Sequence, residues 1–261
     1  PDLQGVFRRM GVFAGGCDLD AVQAVVLDRV TPTEVEGALQ ATAHLLDASL
    51  ATVAETPEGD IRVGMLETIR EYALDQLVRA GEVDAIRQRH AECYTAFAEQ
   101  AGAELRGSRR LIWLDRLETE HDNLRAALSW TLEGEYGGDR QRPALGLRLV
   151  NGLSWFWYGH SHVTDGRRWL ELAIDRATGD EGSALAGAQH GLGVLLLQEG
   201  EHERAPCRSG AQSRGLAEPR RRGGAGEGVE QPGRDLPGPR RVRRRPQAPG
   251  GKSPNLPPHR Q

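Results

Sequence analysis

His160 and His162, in the segment YGHSHVTD with Asp165 close behind, are the most compact set of potential metal ligands in the sequence. Helical zinc pairs place two imidazoles one turn apart, commonly within HExxH, so that both rings converge from one face. The spacing here fits neither pattern, and the turn between two helices of a repeat accounts for the pair more simply. His121 and Asp122, in ETEHDNL, read as the start of a helix rather than as a general base. No Gly-flanked serine marks a nucleophile elbow. A phosphate cradle needs GxxxxGK[ST], so that backbone amides wrap the phosphates and the lysine reaches the terminal ones. Gly251, Lys252 and Ser253 come near it, but Pro246 stands at the first glycine position and Pro254 where a helix should begin. The residues therefore point away from an enzyme, with no catalytic residue and no metal expected in this chain.

The aromatic run Trp155, Phe156, Trp157, Tyr158 could form a ligand shelf, yet four consecutive aromatics cannot share one helix face. Core packing is the simpler role for some of them, and for Trp113, Trp130 and Trp169, because large aromatics dominate burial in helical arrays. Cys17, Cys93 and Cys207 show no CxxC spacing, which argues against a metal knuckle or disulfide framework and fits a reducing cytosol. With no apolar run of membrane-spanning length and no signal peptide, a cytoplasmic protein without membrane contact is expected.

The elements that must position these residues are mostly helical. LQGVFRRMGVF opens within an amphipathic pattern without an evident capping residue, which predicts a helix that begins upstream and a sequence truncated at its N-terminus. Asp18 can cap DLDAVQAVVLDRV, whose Leu19, Val22, Val25 and Val26 share a face. Thr33 can cap the next helix, to Ser49, with Glu36 completing a capping box. LATVAE and IRVGM then alternate around TPEGD, a hairpin signature. Three helices and a hairpin give the winged-helix order. Helical spacing resumes over residues 66–80, 83–105, 109–118, 120–134, 143–159, 164–177 and 181–199. In the last of these, Ala188, Leu192, Gly193, Gly200 and Ala205 follow tetratricopeptide spacing, and Leu153, Trp157, Gly166, Leu170 and Ala173 match at similar offsets. The expected fold is mainly α: a winged-helix domain with a small β-hairpin (1–81), a helical linker region (82–142) and a TPR-like α-superhelix (143–205).

From this order the sequence resembles a known family. FRRMGVFAGGCDLDAVQAV, MLETIREYALDQL, WLDRLETEHDNLRAALSW and WFWYGHSHVTDGRRWLELAI look like the stretch that follows the nucleotide-binding domain of bacterial STAND regulators, ATPases related to the AfsR and LuxR-type transcriptional activators. The resemblance covers about Leu3 to Ala205. It implies a non-catalytic fragment of an ATP-dependent regulator, with ATP or ADP bound by an upstream ATPase domain that is also its partner. The helical repeats would receive a protein or small-molecule signal. A Met-His-Asp motif at the end of the wing touches nucleotide in such families, and here that place reads Met65, Leu66, Glu67. Glu67 keeps the acid, but Leu66 cannot donate a hydrogen bond. Glu67 is thus the candidate nucleotide-sensing residue, and a favourable charge at a helix N-terminus is the alternative. A free-standing repeat adaptor and a DNA-binding winged helix are the competing functions. Against the latter, Thr33 to Ser49 contains Glu34, Glu36 and Asp47 and no Arg or Lys, which disfavours contact with phosphates.

The last segment differs in kind. Ala205 to Gln261 holds twelve Arg and one Lys against four acidic residues, so the remainder of this chain, whose net charge is −4, carries about −13. Ten Pro and ten Gly among those 57 residues cannot support a core, and a disordered Arg/Gly/Pro-rich tail is expected over 206–261. RRVRRR at its centre could make a basic nucleic-acid arm. Because the only lysine is Lys252, the coding DNA reads as GC-rich, and a frame error near Ala205 is the preferred origin of the tail. Read one base later, degenerate codons for Val229 to Pro258 permit a further tetratricopeptide unit, whose landmark pair falls at positions 232 and 233.

Overall fold

The computed structural model describes residues 2–56, 59, 61–134, 140–159, 162–177, 182–198 and 200. The tail, His160 and Ala205 lie outside the described residues. Among those described, the chain is mainly α with one small antiparallel sheet.

Helix α1 (Leu3–Met10) is capped after all: Asp2 Oδ1 accepts the Gly5 N–H at 2.7 Å. The expected uncapped start is thereby corrected, since an aspartate just outside the periodic stretch satisfies a free amide of the first turn. Gly15 and Gly16, both at positive φ, turn the chain into β1 (Cys17–Asp18). Asp18 caps α2 (Leu19–Val26) as expected, accepting from Ala21 N at 2.7 Å, and Val22, Val25 and Val26 are buried. The cap of helix α3 (Pro32–Asp47) lies two residues before the expected Thr33. Thr31 accepts from Glu34 N instead, and Pro32 takes the first helical position, where its missing N–H costs nothing and its φ is already helical.

The hairpin forms as read, with β2 (Thr52–Glu55) and β3 (Ile61–Gly64) antiparallel and Val53 opposite Val63. The sequence gives no warning of β1, which pairs Cys17 with Val63 and Asp18 with Arg62 to make the order β1-β3-β2. Two residues are too short to show a period of two.

Among the described residues seven further helices follow: α4 (Glu67–Arg79), α5 (Val83–Glu104), α6 (Arg110–Thr119), α7 (His121–Leu132), α8 (Gln141–Gly159), α9 (Val163–Arg176) and α10 (Gly182–Gln198). Their ends agree with the periodicity to within two residues. Arg8 and Arg9 of α1 both bind Glu82 at the start of α5, at 2.5 and 2.7 Å. One apolar core runs from Val6 through Val63, Leu77 and Leu128 to Leu195.

The helical array depends on close approach. A Cβ on Gly152 of α8 would lie 2.6 Å from the Ala98 carbonyl carbon of α5, and one on Gly166 of α9 would lie 2.6 Å from Trp157 Cγ. Leu153, Trp157, Leu170 and Ala173 are buried around that contact. At Gly193 no described residue stands within 4 Å of an added Cβ, and the segment that would follow α10 in the repeat lies outside the described residues. Phe156 and Trp157 are core residues, whereas Trp155 and Tyr158 are exposed and meet edge to face at 5.7 Å.

Gly152→Ala is expected to cost about 1–3 kcal/mol, because backbone rather than a flexible side chain must move. Gly37→Ala, in open space within α3, is expected to add about 0.5–1 kcal/mol. Urea unfolding measures both, and a shift of the same sign in the two variants contradicts the packing described.

Candidate functional site

The wing meets the helical array through a polar cluster built on Glu120, which ends α6 and begins α7. Glu120 is buried, and both of its oxygens are engaged. Oε1 receives the Arg62 guanidinium from β3, while Oε2 accepts from Tyr94 Oη of α5 at 2.9 Å and from Asn123 Nδ2 at 2.8 Å. Arg62 also donates to the Gly16 carbonyl at 2.9 Å, and Asn123 Nδ2 donates to the same oxygen at 2.8 Å. Asn123 Oδ1 accepts the Ala14 N–H at 2.8 Å and lies 3.3 Å from His90 Nε2. Because that oxygen can only accept, His90 carries its proton on Nε2. One asparagine therefore ties the turn before β1 to α5 and α7.

This geometry sets the ionisation of the cluster. Burial works against the Arg62 charge, but the Glu120 carboxylate outweighs it and holds the guanidinium firmly protonated. Burial and then the Glu120 charge push the Tyr94 phenol up. Burial lowers His90 to about 4 despite the hydrogen bond to Asn123, so the ring is neutral near pH 7. Burial likewise raises the Cys17 thiol, and Cys93 to about 11, so neither is a ready nucleophile.

Beside the cluster opens a cleft of about 570 Å³ between α2, α5 and α6, lined among others by Asp20, Arg62, Cys93, Phe97, Ile112 and Arg116. Arg116 stacks over Trp113 at 4.5 Å. The lining combines charges of both signs with an apolar wall, a surface suited to holding a polar ligand or peptide.

Glu67 does not line this cleft. It occupies the first turn of α4, exposed, and receives two hydrogen bonds from Arg70 at 2.6 and 2.9 Å. Hydrogen bonding from Arg70 holds its carboxyl below the usual range. Leu66, at the N-cap position, makes no side-chain cap. Of the set His160, His162 and Asp165 read from sequence, His160 lies outside the described residues; Asp165 faces Arg125 at 4.0 Å, while His162 meets Glu118 and His121. His121 and Asp122 stand in the first turn of α7, as expected. On α3, Glu36, Leu39, Gln40 and Asp47 are exposed, so its outer face carries acidic and neutral groups.

The fold and this junction define a helical module to which a small wing is locked by buried polar contacts. The chain is 35% identical over 173 residues to a Mycobacterium bovis protein provisionally named an HTH-type transcriptional regulator, and equally to a Mycobacterium tuberculosis protein of the same name. The match takes in 66% of this chain but spans only 18% of the length of those relatives. An uncharacterized Mycobacterium tuberculosis protein is 36% identical over 89 residues, 33% of this chain and 22% of its own. No family model matches the chain, and no solved structure matches it.

Asn123→Ala is expected to cost about 2–4 kcal/mol, because the part-buried Ala14 N–H loses its partner, the buried Glu120 carboxylate loses one of three donors, and a buried side chain is truncated. Urea unfolding checks this, and a loss under about 1 kcal/mol contradicts the role given to Asn123. His90 adds a pH dependence. Its folded-state value lies below the ordinary 6.5, so the unfolded chain takes up the proton first. Stability is full above about pH 6.5 and falls as the pH drops toward 4, by on the order of 3 kcal/mol. His90→Gln is expected to flatten that part of the profile; an unchanged slope would assign it to other groups.

Proposed function

We propose that this chain is the non-catalytic sensing and protein-interaction part of an ATP-dependent transcriptional regulator. The observation that carries the reading is the orientation of chemistry on the wing. Its cation Arg62 is turned inward and consumed by Glu120 and Gly16, while the outer face of α3 presents Glu36 and Asp47. A DNA reader needs the opposite arrangement, with exposed cations aimed at phosphates. The wing thus serves as a packing module between the array and an upstream ATPase domain. ATP or ADP is handled by that domain, with Glu67 and its partner Arg70 at the face nearest the nucleotide. The cleft beside Arg116, or the helical repeats, receives the signal. The names of the mycobacterial relatives favour the regulatory role, and their length beyond the matched 18% leaves room in them for DNA-binding and ATPase domains.

Two measurements test this reading. The chain without its basic 206–261 tail, whose RRVRRR could itself hold nucleic acid, is expected to show no micromolar binding to duplex DNA in fluorescence anisotropy at low salt, and the full chain no ATP hydrolysis above a buffer blank. Micromolar binding with a steep salt slope would overturn it in favour of a DNA-reading winged helix.

A further inference from the structure

Three ligand-bearing side chains from three elements converge beside the corner between α6 and α7. Glu118 stands in the last turn of α6, His121 begins α7, and His162 precedes α9. Their nearest ligand atoms all lie within 4.8 Å of one another. His162 Nε2 and Glu118 Oε2 are 3.2 Å apart, close to the roughly 3.3 Å that separates two ligands of a tetrahedral zinc with bonds of about 2.0–2.1 Å. The two imidazole centroids are 4.8 Å apart, and Phe156 packs against both rings, at 6.1 and 5.3 Å. Phe156 is fully buried and forms an apolar floor, whereas Glu118 and His162 remain 49% and 28% exposed, so the opposite side is open to solvent.

A surface contact between Glu118 and His162 accounts for two of these residues but not for the second imidazole brought beside them. A divalent cation held between them uses all three. We propose that Glu118, His121 and His162 form a binding site for a single zinc-class divalent ion. Two imidazole nitrogens and one carboxylate select a borderline transition metal over magnesium or calcium, and three protein ligands leave a coordination position for water or a signal molecule. A small rotation of His121 closes the longer edges of the ligand triangle. Once filled, the site fastens the start of α9 to the corner between α6 and α7, so metal occupancy would stiffen the array.

Calorimetric titration of the metal-stripped full chain with zinc chloride tests the site, with cobalt absorption as a second readout. One zinc per chain is expected, with a dissociation constant weakened at least about tenfold in His121→Gln and in His162→Gln. Tetrahedral cobalt bands should be lost in the same variants. Glu118→Gln, at an exposed position, preserves the test should either histidine variant fail to fold, and it should weaken zinc at least about tenfold as well. Absence of zinc binding to the wild-type chain, or binding unchanged in the variants, would overturn the proposal. Neither result depends on whether the chain binds DNA or hydrolyses ATP.

Discussion

Glu120 is a carboxylate held away from water at the corner between α6 and α7, and the rest of the junction is arranged to satisfy it. A buried charge is tolerated only when paired and hydrogen-bonded, and removal of one partner costs far more than the pair contributes net. Here the partners come from β3 (Arg62), α5 (Tyr94) and α7 (Asn123). The Gly16 carbonyl must also point into the cluster to accept from Arg62 and Asn123. That demand explains the glycine at a positive φ: a Cβ on Gly16 would stand 2.9 Å from the Val63 carbonyl oxygen. Wing, turn and array thus answer to one buried group.

Much of the architecture is legible from local pattern because its determinants are local. The amphipathic period places the ends of α4 to α10 within two residues, Asp18 is visible as a cap, and the Pro-Gly turn marks the hairpin. What escapes the pattern rests on distant partners or on very short elements. β1 exists only because Cys17 and Asp18 find β3, more than forty residues on. Thr31 displaced the expected Thr33 cap because Pro32 presets the first helical turn. Glu120 and Asn123 sit within ETEHDNL, which reads as an ordinary helix start. Their meaning appears only once Arg62 and Gly16 arrive from elsewhere in the chain. Glu67 was readable as a first-turn acid, and the structure adds its bond to Arg70.

The placement of charge gives the functional reading its direction. Three cations of the winged-helix segment are drawn into intramolecular pairs, Arg62 with Glu120 and Arg8 and Arg9 with Glu82, while Arg29 ahead of α3 stays exposed. Among the described residues, surfaces open to partners include a mixed cleft at the junction and the exposed Trp155–Tyr158 pair, with Arg106 at 5.7 Å from the Trp155 ring. On the proposed reading, these are the surfaces through which the module would dock and sense.

If the buried cluster makes wing and array one cooperative unit, native-state hydrogen exchange is the direct test. The amide of Val63 in β3 and that of Leu128 in α7 should exchange with the same free energy of opening, because neither can open without releasing Glu120. Exchange of the Val63 amide at a separate, markedly lower free energy, with Leu128 still protected, would show the wing opening by itself and contradict the account.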